Sequence, residues 1–216
     1  MMKMRRAMMA IALTVLGAGC GKKATVITDG SSIGGMLGAA NAIVANAQES
    51  EKFLADRRAR GDTLAMSYKD LQGFLPTALS GYTVDGGATG ESMNMGAFSM
   101  ATAEQKFVTG PDSAQARIHI TIADYSGSSA GYGMMAPYMA MNMSSEDDHR
   151  RTGTVQMSLP TTFGFAEFNK DDKDAKIMVG TRYRYFITVE ATGQKGDESK
   201  LVAEIATDIA KKFANK

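Results

Sequence analysis

Two groups of methionines offer the most unusual chemistry in this chain. Met93, Met95 and Met100 form one, and Met134, Met135, Met139, Met141 and Met143 form the other. Thioether sulfur is a soft ligand suited to Cu(I), and Met-x-Met spacing brings several such donors close together in sequence. On a helix, Met135 and Met139 share a face, as do Met139 and Met143, whereas Met139 and Met141 do not. The metal candidates are therefore Met134, Met135, Met139 and Met143, with His149 as a possible nitrogen donor. Methionine is also an adaptable filler of cores and loose binding surfaces. Packing or a soft apolar surface is the expected role, with Cu(I) or an apolar ligand as the alternative and no cofactor assigned.

Other constellations are weaker. Gly127-Ser-Ser129-Ala-Gly131 matches the G-x-S-x-G nucleophile elbow letter for letter, but its preceding strand belongs to an antiparallel hairpin and the next histidine directly follows its nearest aspartate, in Asp148-His149. His119 and His149 are the two histidines, with no H-E-x-x-H motif or cysteine pair for zinc. Gly131-x-Gly133 does not extend to a dinucleotide fingerprint. Asp171, Asp172 and Asp174 lack the glycine and distal glutamate of a calcium loop and read as a solvated turn. Arg182, Tyr183, Arg184 and Tyr185 read as an exposed sheet face, with anion or partner binding as the alternative. No catalytic residue is assigned.

The chain has one cysteine, Cys20, and its setting is distinctive. Lys3, Arg5 and Arg6 form a positive segment, Ala7 to Leu16 an apolar one, and Gly17, Ala18 and Gly19 precede the thiol. This order is that of a secretory signal. The apolar run is well short of the roughly 20 residues that span a bilayer. Leu-Gly-Ala-Gly-Cys20 resembles the lipobox of bacterial lipoproteins, although Gly17 stands where that family usually has leucine. The resemblance implies removal of residues 1–19 and acylation of Cys20. Gly21, rather than aspartate, follows the cysteine, which by that family's sorting rule implies the outer membrane, facing the periplasm.

Loss of residues 1–19 leaves 21 basic and 23 acidic residues, a formal charge of −2. No basic stripe remains to neutralise nucleic-acid phosphates. With no second cysteine to pair within the chain, stability must come from a packed core. The expected partners are a membrane, through the lipid, and another envelope protein. The expected role is non-enzymatic binding or support.

The elements that would position these residues follow from periodicity. Residues 20–35 are rich in glycine and small polar side chains and read as a tether. Residues 36–61 read as a helix, with Leu37, Ala40, Val44, Ala47 and Leu54 on one face and Arg57, Arg58 and Arg60 beside the stop at Gly61. Residues 62–216 form the α+β domain. Ser67-Tyr-Lys-Asp70 resembles a capping box opening a short helix that ends before Pro76. Tyr82 to Val84 is strand-like, and Glu91 to Val108 is one long strand or a bent pair. In Ala116 to Tyr125, Ile118, Ile120 and Ile122 alternate with polar residues, predicting a half-buried strand hairpinned to the one before it. Met134 to Met143 reads as a helix. Ser144 to Arg151 reads as an exposed polar segment, and Thr154 to Leu159 as a strand.

Phe163, Phe165 and Phe168 mark a further strand, and Lys176 to Val179 and Thr181 to Ala191 two more. Leu201, Ile205, Ile209 and Phe213 recur every four residues, predicting an amphipathic C-terminal helix with Asp197 as its cap. Strands joined by short turns imply an antiparallel sheet with helices packed on it. A strand-rich domain closed by a helix is loosely similar to the PsbP-like fold.

Overall fold

The computed structural model describes residues 33–95, 98–110, 116–126, 144–155 and 157–214. Three helices are present among them: α1 (Ile33–Ala59), α2 (Tyr68–Gln72) and α3 (Ser199–Ala214). The strands are β1 (Thr83–Val84), β2 (Thr89–Met95), β3 (Phe98–Val108), β4 (Arg117–Asp124), β5 (Ser144–Glu146), β6 (Arg150–Val155), β7 (Thr162–Asn169), β8 (Asp174–Thr181) and β9 (Tyr185–Thr192). They form one antiparallel sheet in the order β1-β3-β4-β9-β8-β7-β6-β5, with β2 also pairing with β3. The sheet with its helices is the α+β arrangement expected from the pattern of turns.

Cross-strand register organises the core into rows. Phe107, Ile118, Ala191, Ala175 and Phe168 face one another across β3, β4, β9, β8 and β7. Gln105, Ile120, Val189, Ile177 and Ala166 form the next row, and Ala103, Ile122, Ile187, Val179 and Gly164 the third. The isoleucine alternation of β4 is thus fully used: Ile118, Ile120 and Ile122 are all completely buried. A slip of one residue would carry all three to the opposite face, so burial specifies the register.

Helix α3 lies on this face and buries Val202, Ile205, Ala206, Ile209, Ala210 and Phe213. Asp197 accepts a hydrogen bond from the Ser199 amide at 2.9 Å, satisfying one of the free donors at the helix start. Phe213 is sandwiched between Phe74 and Tyr185, with ring centroids 4.1 and 4.2 Å away. Helix α2 opens as its sequence predicts. Ser67 accepts from the Asp70 amide and donates its hydroxyl to the Asp70 carboxylate. Leu71, Phe74 and Leu75 then enter the core.

Several expectations need correction. The strand expected over Thr154 to Leu159 is instead Arg150–Val155, because the polar segment before it folds into the β5–β6 hairpin around Asp147. There the Asp147 carboxylate accepts from the His149 and Arg150 amides at 2.8 and 2.7 Å, chemistry that hydropathy does not register. Phe163 and Phe165 face one side of β7 and Phe168 the other, so the alternation is intact and serves two faces. Helix α1 begins at Ile33, three residues before its expected start. Its expected apolar face is divided: Leu54 is buried, whereas Val44 is 55% exposed and Ala47 is exposed. The strand expected from Thr181 onward is interrupted by a turn at residues 182–184, with consequences for the site below.

Candidate functional site

A fourth row continues the same register beyond the apolar core: Ala101, Asp124, Tyr185, Thr181 and Thr162. Here the inward positions turn polar while remaining buried. Asp124 and Thr181 have no solvent exposure and Tyr185 has 5%. The Thr162 and Thr181 hydroxyls satisfy each other at 2.8 Å. Asp124 stands two residues after Ile122, in phase with the buried isoleucines. A carboxylate at that position must find charged partners or pay a heavy desolvation penalty.

Those partners come from the two turns beside it. Helix α1 ends in a Schellman motif. Gly61 has φ +73°, the Gly61 amide donates to the Arg58 carbonyl at 3.0 Å, and the Asp62 amide donates to the Arg57 carbonyl at 3.0 Å. A left-handed residue is needed at this point, which glycine supplies without a side-chain clash. The motif folds Asp62 back over Arg57, whose Nε donates to Asp62 Oδ2 at 2.9 Å. Arg57 Nη2 also donates to the Asp62 carbonyl oxygen at 3.0 Å and to Ser126 Oγ.

The second turn joins β8 to β9. Arg182 and Tyr183 both have positive φ, 54° and 51°, and the Arg184 amide donates to the Thr181 carbonyl at 3.2 Å. These values suit a two-residue hairpin turn whose usual occupants are asparagine and glycine. Arginine and tyrosine hold it here at a steric cost. The turn projects Arg184 toward Asp124, giving a two-point contact: Nε to Oδ1 at 2.8 Å and Nη2 to Oδ2 at 2.7 Å. Arg184 Nη1 reaches Asp62 Oδ2 at 3.0 Å, and Nη2 reaches the Leu64 carbonyl at 3.2 Å. The Met66 and Ser126 amides complete Asp124 at 2.7 and 2.9 Å. Arg57, Asp62, Arg184 and Asp124 thus form a continuous alternation of charge.

The electrostatics follow from that geometry. Arg57 is the main cause of a lowered Asp62 pKa, through its hydrogen bond, while burial acts in the other direction and Arg184 adds to the lowering. Burial works most strongly against the Arg184 charge, yet Asp124 and Asp62 more than offset it and its pKa lies above the ordinary arginine value. Burial also raises Tyr183, reinforced by its 2.7 Å hydrogen bond to Glu49 of α1. Above the charged pairs is a depression of about 440 Å³. Phe53 and Tyr185 contribute apolar walls, and Arg60 and Arg182 contribute further cations.

The residues singled out by sequence separate clearly. Cys20, Ser129, the Gly131–Gly133 pair, and Met134, Met135, Met139, Met141 and Met143 lie outside the described residues. Met93 pairs with Met100 and Met95 with Phe98 across the β2–β3 hairpin, which brings all four to one face. Met93 is 39% and Met95 62% exposed. His119 contacts Glu104 at 3.2 Å on the sheet surface, and His149 meets Asp171 at 2.8 Å between two hairpin turns. Asp171 and Asp172 lie in the β7–β8 turn, where the Asn169 side chain accepts from both amides. Asp174 starts β8 and accepts from Gly193. The expectation of an exposed face at Arg182–Tyr185 is overturned, because Tyr183, Arg184 and Tyr185 are each less than a tenth exposed. Sequence reading passed over Arg57, Asp62 and Asp124 as site residues. Its available signals were an aspartate in phase with buried isoleucines and an Arg-x-x-x-Gly-Asp helix stop.

No protein-family model matches the chain, and no curated protein matches it. Among solved structures it is similar to the extracellular domain of PknH from Mycobacterium tuberculosis. The TM-score is 0.44 at 10% sequence identity, over 71% of this chain and 100% of that one. A likeness of that degree carries no argument about function.

Proposed function

We propose that this chain is a lipid-anchored, non-enzymatic protein of the bacterial cell envelope, attached through Cys20 to the outer membrane and facing the periplasm. Its domain binds or supports another envelope component. The observation that carries this reading is the sole cysteine, directly after a basic, apolar and small-residue leader. Acyl chains contribute about 0.8 kcal/mol per buried CH₂, so a multiply acylated Cys20 makes a stable anchor. Helix α1 supports the reading as a spacer: 27 residues extend for about 40 Å, and the described side chains between Asn41 and Glu49 are exposed. No described helix is long and apolar enough to cross a membrane. Metabolic labelling with an alkyne fatty acid tests the proposal. The native chain is expected to incorporate label and sediment with membranes, whereas Cys20→Ser is expected to lose both properties. A Cys20→Ser chain that remains equally membrane-bound overturns the anchor.

A second reading, a soft-metal or apolar-ligand surface, is favoured by Met93, Met95 and Met100 sharing one face of a hairpin. Replacing Met93 and Met95 by leucine separates its two forms. Loss of Cu(I) binding with unchanged apolar-probe binding supports metal, whereas the reverse pattern supports an apolar surface.

A further inference from the structure

The depression beside α1 combines surplus positive charge with a buried donor that has no acceptor among the described residues. Among the described residues, Arg57, Arg60, Arg182 and Arg184 line it, against the single carboxylate of Asp62. Asp124 lies beneath as the partner of Arg184, leaving a local surplus of two positive charges. Arg184 spends Nε, Nη1 and Nη2 on Asp124, Asp62 and Leu64. Arg57 spends only Nε and Nη2. Its Nη1 has no acceptor among the described residues, although the side chain is only 3% exposed. A buried charged donor without an acceptor is costly, and an anionic oxygen in the depression would remove that cost.

Two further cations line the same depression. Arg60 is exposed and makes no ion pair among the described residues. Arg182 lies 5.8 Å over the Phe53 ring and donates Nη1 to the Phe213 carbonyl, and its Nε and Nη2 have no acceptor among the described residues. Its backbone holds the left-handed conformation discussed above, where glycine would be less strained but would lack a guanidinium. Strain retained at a residue that lines a cavity fits a functional requirement for its side chain.

We propose that this depression binds a phosphate monoester. Such a group is close to a dianion at neutral pH, matching the surplus of two charges, and offers three strong acceptors to a fan of guanidinium donors. Arg57 Nη1 forms the floor contact, while Arg60 and Arg182 close from the rim. Phe53 and Tyr185 accommodate the carrier of the phosphate. That carrier is a soluble molecule or a lipid with a terminal phosphate headgroup.

The full chain in neutral detergent is titrated calorimetrically with phenyl phosphate and inorganic phosphate, and separately mixed with phosphatidylcholine vesicles with and without phosphatidic acid. Native protein is expected to bind phenyl phosphate, or phosphatidic acid vesicles if the carrier is a lipid. Arg60→Ala and Arg182→Ala are each expected to weaken binding about tenfold, as for loss of one charge-assisted hydrogen bond. Arg57→Lys, which keeps the charge but loses the fork, is expected to weaken it as well. Thermal melts verify that each variant folds, and the exposed Arg60 provides a test independent of the core. Absence of binding to phenyl phosphate, inorganic phosphate and phosphatidic acid vesicles, each at about millimolar phosphate, overturns the proposal. So does equal binding by native protein and the Arg60→Ala, Arg182→Ala double variant. Because phosphate binding does not require acylation, this result is independent of the outcome at Cys20.

Discussion

Asp124 is the residue on which the interior depends most sharply. It occupies an inward strand position with no solvent, and Arg184, Met66 and Ser126 satisfy its two oxygens. Removing one member of a buried ion pair leaves the other uncompensated, so Asp124→Ala is expected to destabilise the domain by about 3–5 kcal/mol, measured by urea denaturation. Asp62 supplies the acid sensitivity of the same cluster. Its folded pKa lies below the ordinary value of 3.8 because Arg57 donates to it and Arg184 adds positive charge. The associated stability is present above that ordinary value and is lost as pH falls through the lower folded value. Asp62→Asn is therefore expected to flatten the loss of thermal stability below about pH 4. The native protein and variant losing stability in parallel on acidification would contradict this assignment. Arg182 and Tyr183 show a different constraint: their alternation continues that of β9, but a tight turn claims both residues.

At the scale of elements, the docking contacts of α1 among its described side chains lie toward its C-terminal end. Leu54 and Arg57 are buried, Phe53 packs against Tyr183 with centroids 6.0 Å apart, and Val44 is left exposed. The terminal Schellman motif does more than stop the helix, because it delivers Asp62 to both arginines. Gly61→Ala meets no neighbour at its new Cβ but retains a φ of +73°, so strain is the expected source of damage. The expected loss is about 1 kcal/mol, read as a lower melting temperature with retained secondary structure. Helix α3 was the most legible element, since its four-residue recurrence matches the face it buries. The β5–β6 hairpin was obscure because charged side chains form its turn and its exposed edge.

At the scale of the whole molecule, one pairing distant in sequence, β4 with β9, joins two runs of sequentially paired strands. β4 and β9 lie side by side at the centre, and from the edge strand β5 the chain steps inward through β6, β7 and β8 to reach β9. Bringing β4 and β9 together costs loop-closure entropy before their contacts form, so refolding is expected on the millisecond-to-second scale. Far-UV circular dichroism in stopped flow is the suitable measurement, since the chain has no tryptophan. Complete recovery of native signal within microseconds would contradict this view of the topology. What the sequence by itself determined was local: the β4 alternation, the capping box of α2 and the stripe of α3. Each depends on residues within a few positions of one another, where backbone geometry makes spacing informative. Only the tertiary structure joined Arg57, Asp62, Asp124 and Arg184, because the charges that neutralise a buried carboxylate come from wherever the fold brings them. Asp124 in phase with three isoleucines indicated that a partner was required. The Schellman motif and the strained β8–β9 turn decided which arginines met that need.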